Sequence, residues 1–287
     1  MGTAKPGRRR RRTDGSLATG DGAETDQALA LAESAVASRP AGLVTDLDGT
    51  LAPIVTVPSE ARLVPGAAGA LQALRRRLAV VAIVTGRAAH DARRILGSGG
   101  DEVLVIGNHG LEWLEPGADA AAVDNALAPV RATIAGLLAR IPAAPGVEIE
   151  DKGLSATIHY RRAKDPEITR ARLLESVLGA SGRDIDVREG RRSIELRPVG
   201  RGDKGTALRA VVQRFGLRGL VVAGDDATDL DMFGVAQDLR SRGVRSVVLG
   251  IAGGHEVPAE IAATVDDLLP DPVAFVRLLT RLAATIR

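Results

Sequence analysis

The stretch Thr45–Leu51 (TDLDGTL) follows directly on the apolar run Gly42–Val44, which predicts a buried β-strand. Asp46 and Asp48 are two residues apart, so their side chains point to the same side of an extended chain. Two neighbouring carboxylates repel each other unless a cation lies between them. The stretch therefore indicates a strand that ends at the site of a metal-dependent enzyme.

The composition limits what the rest of the chain can be. Its 287 residues can form one large domain or two smaller ones, and only 2% of them are aromatic, so we expect a core of Ala, Val, Leu and Ile. The chain has no cysteine, which excludes disulfides, thiolate nucleophiles and cysteine–zinc sites. No apolar run reaches the roughly 20 residues that span a bilayer, so we expect no membrane partner.

The net charge of +2 is concentrated near the N-terminus. Without Lys5 and the run Arg8–Arg12, the sequence carries 32 basic and 36 acidic residues, a net charge of −4. We expect residues 1–25 to form a disordered basic tail, with only weak, salt-sensitive attraction to nucleic acid and no specific nucleic-acid partner. No apolar export segment follows the arginines, so we expect a cytoplasmic protein, with a monomer as the starting expectation.

Strand-like and helix-like patterns alternate along most of the chain. Apolar runs typical of buried strands occur at residues 43–44, 80–84, 103–106, 220–223 and 247–249. Helix-like spacing occurs at residues 26–37, 66–78, 88–96, 203–216, 228–236 and 271–285. This alternation predicts an α/β core with a parallel sheet.

A central block, residues 112–198, has a different pattern. It is expected to contain a helix, two strands, a helix and two strands, at residues 120–140, 147–150, 157–160, 166–179, 184–187 and 193–196. Its strands are half polar, which is typical of a sheet with one solvated face. We therefore predict a mixed α+β insertion at 112–198 within a core formed by 26–111 and 199–287.

Polar residues follow the predicted core strands. They are Asp46 and Asp48, Thr85–Arg87, Gly107–His109, and Gly224–Asp226. Ligands bind outside the carboxyl ends of the strands in an open parallel sheet, so we expect these segments to converge on one pocket.

The expected pocket has the chemistry of phosphoryl transfer. The carboxylates that form an oxygen-rich set suited to Mg²⁺ are Asp46, Asp48, Asp225 and Asp229. Thr85 offers a hydroxyl to a phosphate oxygen, and Lys204 lies at a helix start, where the helix N-terminus adds positive potential. The set fits transfer through an aspartyl-phosphate.

The segments Asp46–Thr50, Thr85–Gly86, Lys204 and Gly224–Asp229 resemble, in order, the four motifs of haloacid-dehalogenase (HAD) superfamily phosphatases, and the resemblance covers residues 41–287. It implies a HAD-type Rossmann-like core with an inserted α+β cap domain. It also implies that Asp46 is the nucleophile and Asp48 the general acid and base. Mg²⁺ would be bound by the Asp46 side chain, the Asp48 backbone carbonyl and Asp225, with Asp229 in or near its shell.

Four further segments resemble trehalose-6-phosphate phosphatases: Gly107–Glu112, Glu150–Lys152, His159–Arg161 and Glu195–Pro198. This resemblance implies hydrolysis of a sugar phosphate, trehalose 6-phosphate, to trehalose and phosphate under a closing cap. The expected substrate-binding residues are Gly86, Arg87, Asn108, His109, Glu150, Lys152, His159, Arg161 and Glu195. Leu230 departs from the pattern, since that family often has an acidic residue there.

Several of these residues also have structural interpretations. Arg87 either contacts substrate or pairs with a carboxylate, and Asp226 is either a metal ligand or a helix cap. Residues that could simply pack, shape a turn or pair with each other are Asn108, His109, the pair Glu150 and Lys152, and the pair Glu195 and Arg197. Tyr160 should point away from His159 and pack.

Three other functions remain open from the sequence. They are a phosphatase for another glycosyl phosphate (sucrose phosphate or mannosylglycerate phosphate), a catalytically silent sugar-phosphate-binding module, and weak nucleic-acid binding through the arginine tail.

Overall fold

The computed structural model describes residues 20–119, 127–181, 185–190, 192–198, 202–253 and 259–286, which form two β-sheets and the helices that cover them. The strands are β1 (Ala41–Thr45), β2 (Val80–Val84), β3 (Leu104–Gly107), β4 (Glu112–Leu114), β5 (Glu148–Asp151), β6 (Ala156–His159), β7 (Ile185–Gly190), β8 (Ser193–Pro198), β9 (Gly219–Gly224), β10 (Arg245–Ile251) and β11 (Asp267–Leu269). The helices are α1 (Gly20–Val36), α2 (Ala67–Arg75), α3 (Ala89–Leu96), α4 (Ala128–Leu138), α5 (Pro166–Ser181), α6 (Lys204–Phe215), α7 (Leu230–Ser241), α8 (Ala259–Thr264) and α9 (Pro272–Thr285).

The first sheet has seven strands in the order β11-β10-β9-β1-β2-β3-β4. All neighbours are parallel except β4, which runs antiparallel to β3. The central strand β1 is buried along its whole length, as an apolar strand between two parallel neighbours should be. This position brings the residues that follow β1 to the middle of the sheet's carboxyl edge.

Helices cover both faces of this sheet. On one face, α1, α2, α3 and α9 contribute to a cluster that includes Leu71 and Phe275, and on the other, α6, α7 and α8 contribute to a cluster that includes Phe233. Successive residues of β1 alternate between them, with Leu43 in the first cluster and Val44 in the second. Burial of each such side chain contributes about 1.5–3 kcal/mol, so the sheet is held firmly from both sides.

The second sheet has four antiparallel strands in the order β5-β6-β8-β7. It packs on α4 and α5 through a separate apolar cluster that includes Ile134, Ile158 and Val177. Tyr160 is buried in that cluster, which confirms that it packs. The predicted fold class, an α/β parallel-sheet core with an inserted α+β block, is therefore confirmed.

Two boundaries differ from the sequence prediction. Helix α1 begins at Gly20, inside the segment predicted to be disordered, because Thr25, Ala28 and Ala32 bury one helix face; residues 1–19 of the predicted tail lie outside the described residues. Strand β4 was assigned to the insertion but pairs with β3 in the first sheet. A three-residue edge strand is too short to show a periodic pattern, so this pairing has no signal in the sequence.

The remaining differences from the predicted elements are smaller. The helix predicted at 120–140 is observed as α4, and residues 120–126 lie outside the described part of the chain. The short elements α8 and β11 were not predicted. Within the described residues, we find no helix that combines the length and apolarity required to cross a membrane.

Candidate functional site

The residues after β1 reach the carboxyl edge of the first sheet through pairing with β9. The Asp46 N–H donates to the carbonyl of Ala223 (2.9 Å), which continues the β1–β9 ladder by one residue. Gly49 has a φ of 82°, and a Cβ at this position would overlap the carboxylate of Asp225. Only glycine combines this conformation with such an approach, so it lets the loop after β1 close on the loop after β9.

Three carboxylates meet where these loops converge. Oxygen atoms of Asp46, Asp225 and Asp229 lie within 4.8 Å of one another. The Nζ of Lys204, the first residue of α6, donates to Asp46 Oδ1 (2.7 Å) and to Asp229 Oδ1 (2.8 Å). Lys204 is only 3% exposed, so these carboxylates are its means of stabilising a buried charge.

The pKa values of this cluster are strongly perturbed. Burial raises the pKa of Asp46 well above its usual value, against the attraction of Lys204. Burial, with the nearby Asp229 and Asp226, raises the pKa of Asp225 to about 7. Burial alone would lower the pKa of Lys204, but the charges of Asp229 and Asp46 outweigh it and the pKa is raised. One lysine does not balance this negative charge, and an all-oxygen carboxylate set is what a hard divalent cation prefers, so Asp46, Asp225 and Asp229 could hold a metal.

Asp48 lies apart from this cluster. Its carboxylate accepts two hydrogen bonds from Arg87, from Nε to Oδ2 (2.6 Å) and from Nη2 to Oδ1 (2.7 Å). Arg87 Nη1 also donates to the carbonyl of Pro58 (2.8 Å). Of the two interpretations of Arg87, the structure displays carboxylate pairing, and the geometry is that of a bidentate ion pair.

Asp226 acts as a helix cap in this structure. Its Oδ1 accepts a hydrogen bond from the Thr228 N–H (2.8 Å), and the Asp229 carboxylate accepts in return from the Asp226 N–H (3.2 Å). These reciprocal bonds form a capping box at the short 3₁₀ turn before α7. The capping box holds the Asp229 carboxylate in the position where it accepts the hydrogen bond from Lys204 Nζ.

The loop after β2 is held by the turn after β3. The His109 N–H donates to the carbonyl of Thr85 (2.9 Å), and the Asn108 N–H donates to the carbonyl of Arg87 (2.7 Å). The imidazole of His109 packs against Gly86, where a Cβ would lie 2.8 Å from the ring. In the same region, the indole nitrogen of Trp113 donates to the carbonyl of Gly110 (3.1 Å).

His109 is a neutral imidazole at ordinary pH. Burial, assisted by the charges of Arg197, Lys204 and Lys152, lowers its pKa to about 2. The ring packs against Gly86, and it also lines the cavity.

A cavity of about 990 Å³ separates the carboxyl edge of the first sheet from the second sheet. The predicted residues at its core-sheet end are Asp46, Asp48, Thr85, Gly86, Arg87, His109 and Lys204. Those on the second sheet and its hairpin are Glu150, Lys152, His159 and Glu195.

The second-sheet side chains also pair with one another. Lys152 Nζ and His159 Nε2 lie 3.6 and 3.4 Å from Glu150 Oε2. Arg197 Nη2 lies 2.6 Å from Glu195 Oε1. The cavity wall thus carries both hydrogen-bond donors and acceptors.

Two predicted substrate-binding residues do not belong to the cavity lining in the described part of the chain. Arg161 is exposed in the turn after β6, because the strand ends at His159 and the alternation of side chains ends with it. Asn108 is fully buried, and its Oδ1 accepts a hydrogen bond from Ser155 Oγ (3.2 Å). Asp225 and Asp229 likewise lie outside the lining.

The cavity residues that the sequence did not predict include Glu112, Arg131 and Arg188. Glu112 is buried in β4, accepts a hydrogen bond from the Ala89 N–H at the start of α3, and lies 3.8 Å from Arg131. Glu112 closes the motif Gly107–Glu112, which was a signal for it. Arg131 and Arg188 carry no local signal, because only the fold brings α4 and β7 to the cavity.

Fold and site together agree with the HAD class, with a parallel-sheet core that carries a carboxylate cluster at its carboxyl edge. The chain belongs to the trehalose-phosphatase family, whose sequence pattern it matches over residues 44–264. It is 33% identical over 250 residues to a trehalose-phosphate phosphatase of Mycobacterium avium and 34% identical over 272 residues to one of Mycobacterium tuberculosis, which covers 84% and 91% of this chain. The chain spans 62% and 66% of the length of those relatives.

The structural comparison agrees with the fold. The C-terminal domain of trehalose-6-phosphate phosphatase from C. albicans superposes with a TM-score of 0.62, covering 91% of this chain and 96% of that one. The sequence identity is 21%, so this likeness supports the fold.

Proposed function

We propose that this protein hydrolyses trehalose 6-phosphate to trehalose and phosphate through a phosphoryl group carried on Asp46. The observation that carries the proposal is the cavity between the sheets. Its core end has a buried carboxylate paired with a lysine, and its opposite wall is lined with both acidic and basic side chains. The mycobacterial relatives named trehalose-phosphate phosphatase support this choice of substrate.

Asp46 is the proposed nucleophile. Lys204 binds its Oδ1 and so leaves the other carboxylate oxygen to attack phosphorus. Thr85 lines the same end of the cavity, where its hydroxyl would bind a phosphate oxygen. Buried positive charge at Lys204 would stabilise the negative charge of the transferring group.

Asp48 is the proposed general acid and then general base. It would protonate the sugar oxygen as it departs and afterwards activate the water that hydrolyses the phosphoryl-aspartate. A sugar alkoxide is a poor leaving group, and a positioned acid typically contributes about 10²–10⁴-fold to rate. The bidentate bond from Arg87 would set the orientation of this carboxylate.

Mg²⁺ is the proposed cofactor. The side chains of Asp46, Asp225 and Asp229, with the backbone carbonyl of Asp48, would hold it, and when bound it would neutralise carboxylate charge and polarise the phosphate. The perturbed pKa values of Asp46 and Asp225 support a cation at this point.

The second sheet is the proposed sugar-binding cap. Glu150, Lys152, His159 and Glu195 would pair with the hydroxyls of the two glucose rings, and sites built in this way reject analogues that lack a hydroxyl. We place the core in residues 26–111 and 199–287 and the cap in 112–198, with Glu112–Leu114 transferred to the core because β4 belongs to its sheet. Location in the cytoplasm and a monomeric state stay predictions.

A phosphate-release panel tests the proposal. Trehalose 6-phosphate, sucrose 6-phosphate, mannosylglycerate phosphate and glucose 6-phosphate are compared with and without Mg²⁺. We expect trehalose 6-phosphate to have the highest kcat/KM, no turnover in chelator, and none in Asp46→Asn. A preference for another glycosyl phosphate would change the substrate, and unchanged turnover in Asp46→Asn would exclude the mechanism.

A further inference from the structure

A continuous series of hydrogen bonds leads from the loop after β2 into the hairpin of the second sheet. At the core end, the turn after β3 binds this loop at Thr85 and at Arg87 through the N–H groups of His109 and Asn108. The turn is therefore fixed relative to the residues that surround the proposed phosphate position.

Asn108 is the point at which the series leaves the core. Its backbone has a φ of 46°, a left-handed conformation that asparagine adopts more readily than most residues. Its fully buried Oδ1 accepts a hydrogen bond from the hydroxyl of Ser155 (3.2 Å), 47 positions further along the chain. Ser155 is 1% exposed, so water does not replace this bond readily when it is lost.

Ser155 passes the connection on to the cavity wall. It lies between β5 and β6, and its backbone carbonyl accepts a hydrogen bond from the Lys152 N–H (2.9 Å). The ammonium group of Lys152 then lies 3.6 Å from Glu150 Oε2, and both side chains line the cavity. A single side-chain hydrogen bond, from Ser155 to Asn108, thus connects these wall residues to the turn after β3.

We propose that Ser155 is a positioning residue. Through its hydrogen bond to Asn108, it sets the distance of Glu150 and Lys152 from the core-sheet end of the cavity. The proposal rests on the proposed function, because it assigns these two wall residues to the sugar. Ser155 itself is absent from the cavity lining of the described residues, so it acts through its neighbours. Loss of its hydroxyl should impair sugar recognition and leave the chemistry at Asp46 unchanged.

The first experiment measures Ser155→Ala with trehalose 6-phosphate and with p-nitrophenyl phosphate, which has no sugar. We expect KM for trehalose 6-phosphate to rise about 3- to 10-fold, the usual effect of one lost hydrogen bond, with kcat within about twofold. Values for p-nitrophenyl phosphate should be unchanged. Equal losses with both substrates, or wild-type values with both, would overturn the proposal.

The matched control is Ser176→Ala. Ser176 is in the same inserted block, but its hydroxyl donates within α5, to the Arg172 carbonyl one turn earlier (2.9 Å). We expect wild-type kinetics from this variant. A comparable rise in KM would assign the effect to general loosening of the block and would count against Ser155.

A second variant tests the bond itself. Asn108→Gly removes the acceptor and suits the positive φ, so it also serves if Ser155→Ala does not fold. If the two residues act through one bond, the double variant should be no worse than the poorer single variant. Multiplying losses would show that they act independently and would overturn the proposal.

Hydrogen–deuterium exchange provides a readout that does not depend on turnover. Amides of residues 148–159 should exchange faster in Ser155→Ala and in Asn108→Gly than in the wild type, while those of β1 keep their rates. Unchanged exchange in the hairpin would overturn the positioning role. Failure of the wild type to hydrolyse trehalose 6-phosphate would instead overturn the proposed function, and exchange would then decide the positioning role alone.

Discussion

At the scale of single residues, Asp46 and Asp48 have different surroundings although they are two positions apart. Asp46 is 4% exposed and bound by Lys204, whereas the Asp48 side chain is one-third exposed and bound by Arg87. A buried carboxylate next to a lysine suits attack on phosphorus, and an accessible carboxylate suits proton exchange with a leaving group or water. The environment thus supports the separate roles that we propose for them.

Replacement of Arg87 should affect substrates according to their leaving group. In Arg87→Met, Asp48 loses its bidentate partner, so we expect kcat/KM for trehalose 6-phosphate to fall about 10- to 100-fold. This ratio reports the steps up to phosphoryl transfer and not the later attack of water, so kcat/KM for p-nitrophenyl phosphate, whose leaving group needs no acid, should fall less than about threefold. Steady-state kinetics on both substrates measure the difference.

The control for this prediction is Arg94→Met on α3. Arg94 Nη2 donates to Asp91 Oδ1 (3.3 Å), and both side chains are well exposed. Its kinetics should match the wild type. Equal losses for both substrates in Arg87→Met would indicate that Arg87 binds the phosphate and does not orient Asp48.

At the scale of elements, the loop after β1 depends on the absence of a side chain at Gly49. This loop approaches the loop after β9 so closely that Asp225 occupies the position of a Cβ. Thr50 adds a hydrogen bond from its hydroxyl to Asp225 Oδ1 (3.1 Å). The carboxylate cluster is therefore assembled by the contact between two loops as much as by either strand.

Gly49→Ala should separate these loops. A left-handed alanine costs about 1–2 kcal/mol in unfolding free energy, and here the overlap with Asp225 should also abolish phosphatase activity and the stabilisation by Mg²⁺. Urea denaturation with and without Mg²⁺ measures both effects.

Gly117→Ala is the matched control, because Gly117 has a φ of 69° and no atom within 4 Å of the added Cβ. It should lose a similar amount of unfolding free energy, and it should keep both its activity and its stabilisation by Mg²⁺. Retention of both properties in Gly49→Ala would show that contact between the two loops is not needed for the site.

At the scale of the whole molecule, stability should depend on pH through the carboxylate cluster. Folding raises the pKa of Asp225 from its ordinary value of 3.8 to about 7, so the folded state holds a proton more tightly than the unfolded state. This contribution therefore disfavours folding increasingly as pH rises from about 4 to about 7, and is constant above that.

Asp225→Asn should reveal this contribution in chelator. Its Tm relative to the wild type should rise with pH over the same range and then level off. With Mg²⁺ present the order should reverse, because the wild type gains binding energy that the variant lacks. A Tm difference that is independent of pH in chelator would contradict the charge repulsion that we describe.

Much of the core could be predicted because its signals are local. An apolar run followed by Asp46 and Asp48 defines both a buried strand and its functional end, and Asp203 before Lys204 marks a helix start that the structure confirms. Patterns of this kind need no knowledge of distant contacts.

The remainder depends on contacts between distant segments. Strand β4 is formed by edge pairing with β3, and Arg161 leaves the cavity because β6 ends two residues before it. Ser155 shows no motif at all, since its role is set by a partner 47 positions away.

The scarcity of aromatic residues has a practical consequence. The chain contains a single tryptophan, Trp113, and its indole is hydrogen-bonded to the turn that carries Asn108 and His109. Tryptophan emission from the unlabelled protein will therefore come from one known position close to the proposed phosphate site. Stopped-flow emission measurements can thus follow ligand entry and rearrangement of that turn in real time.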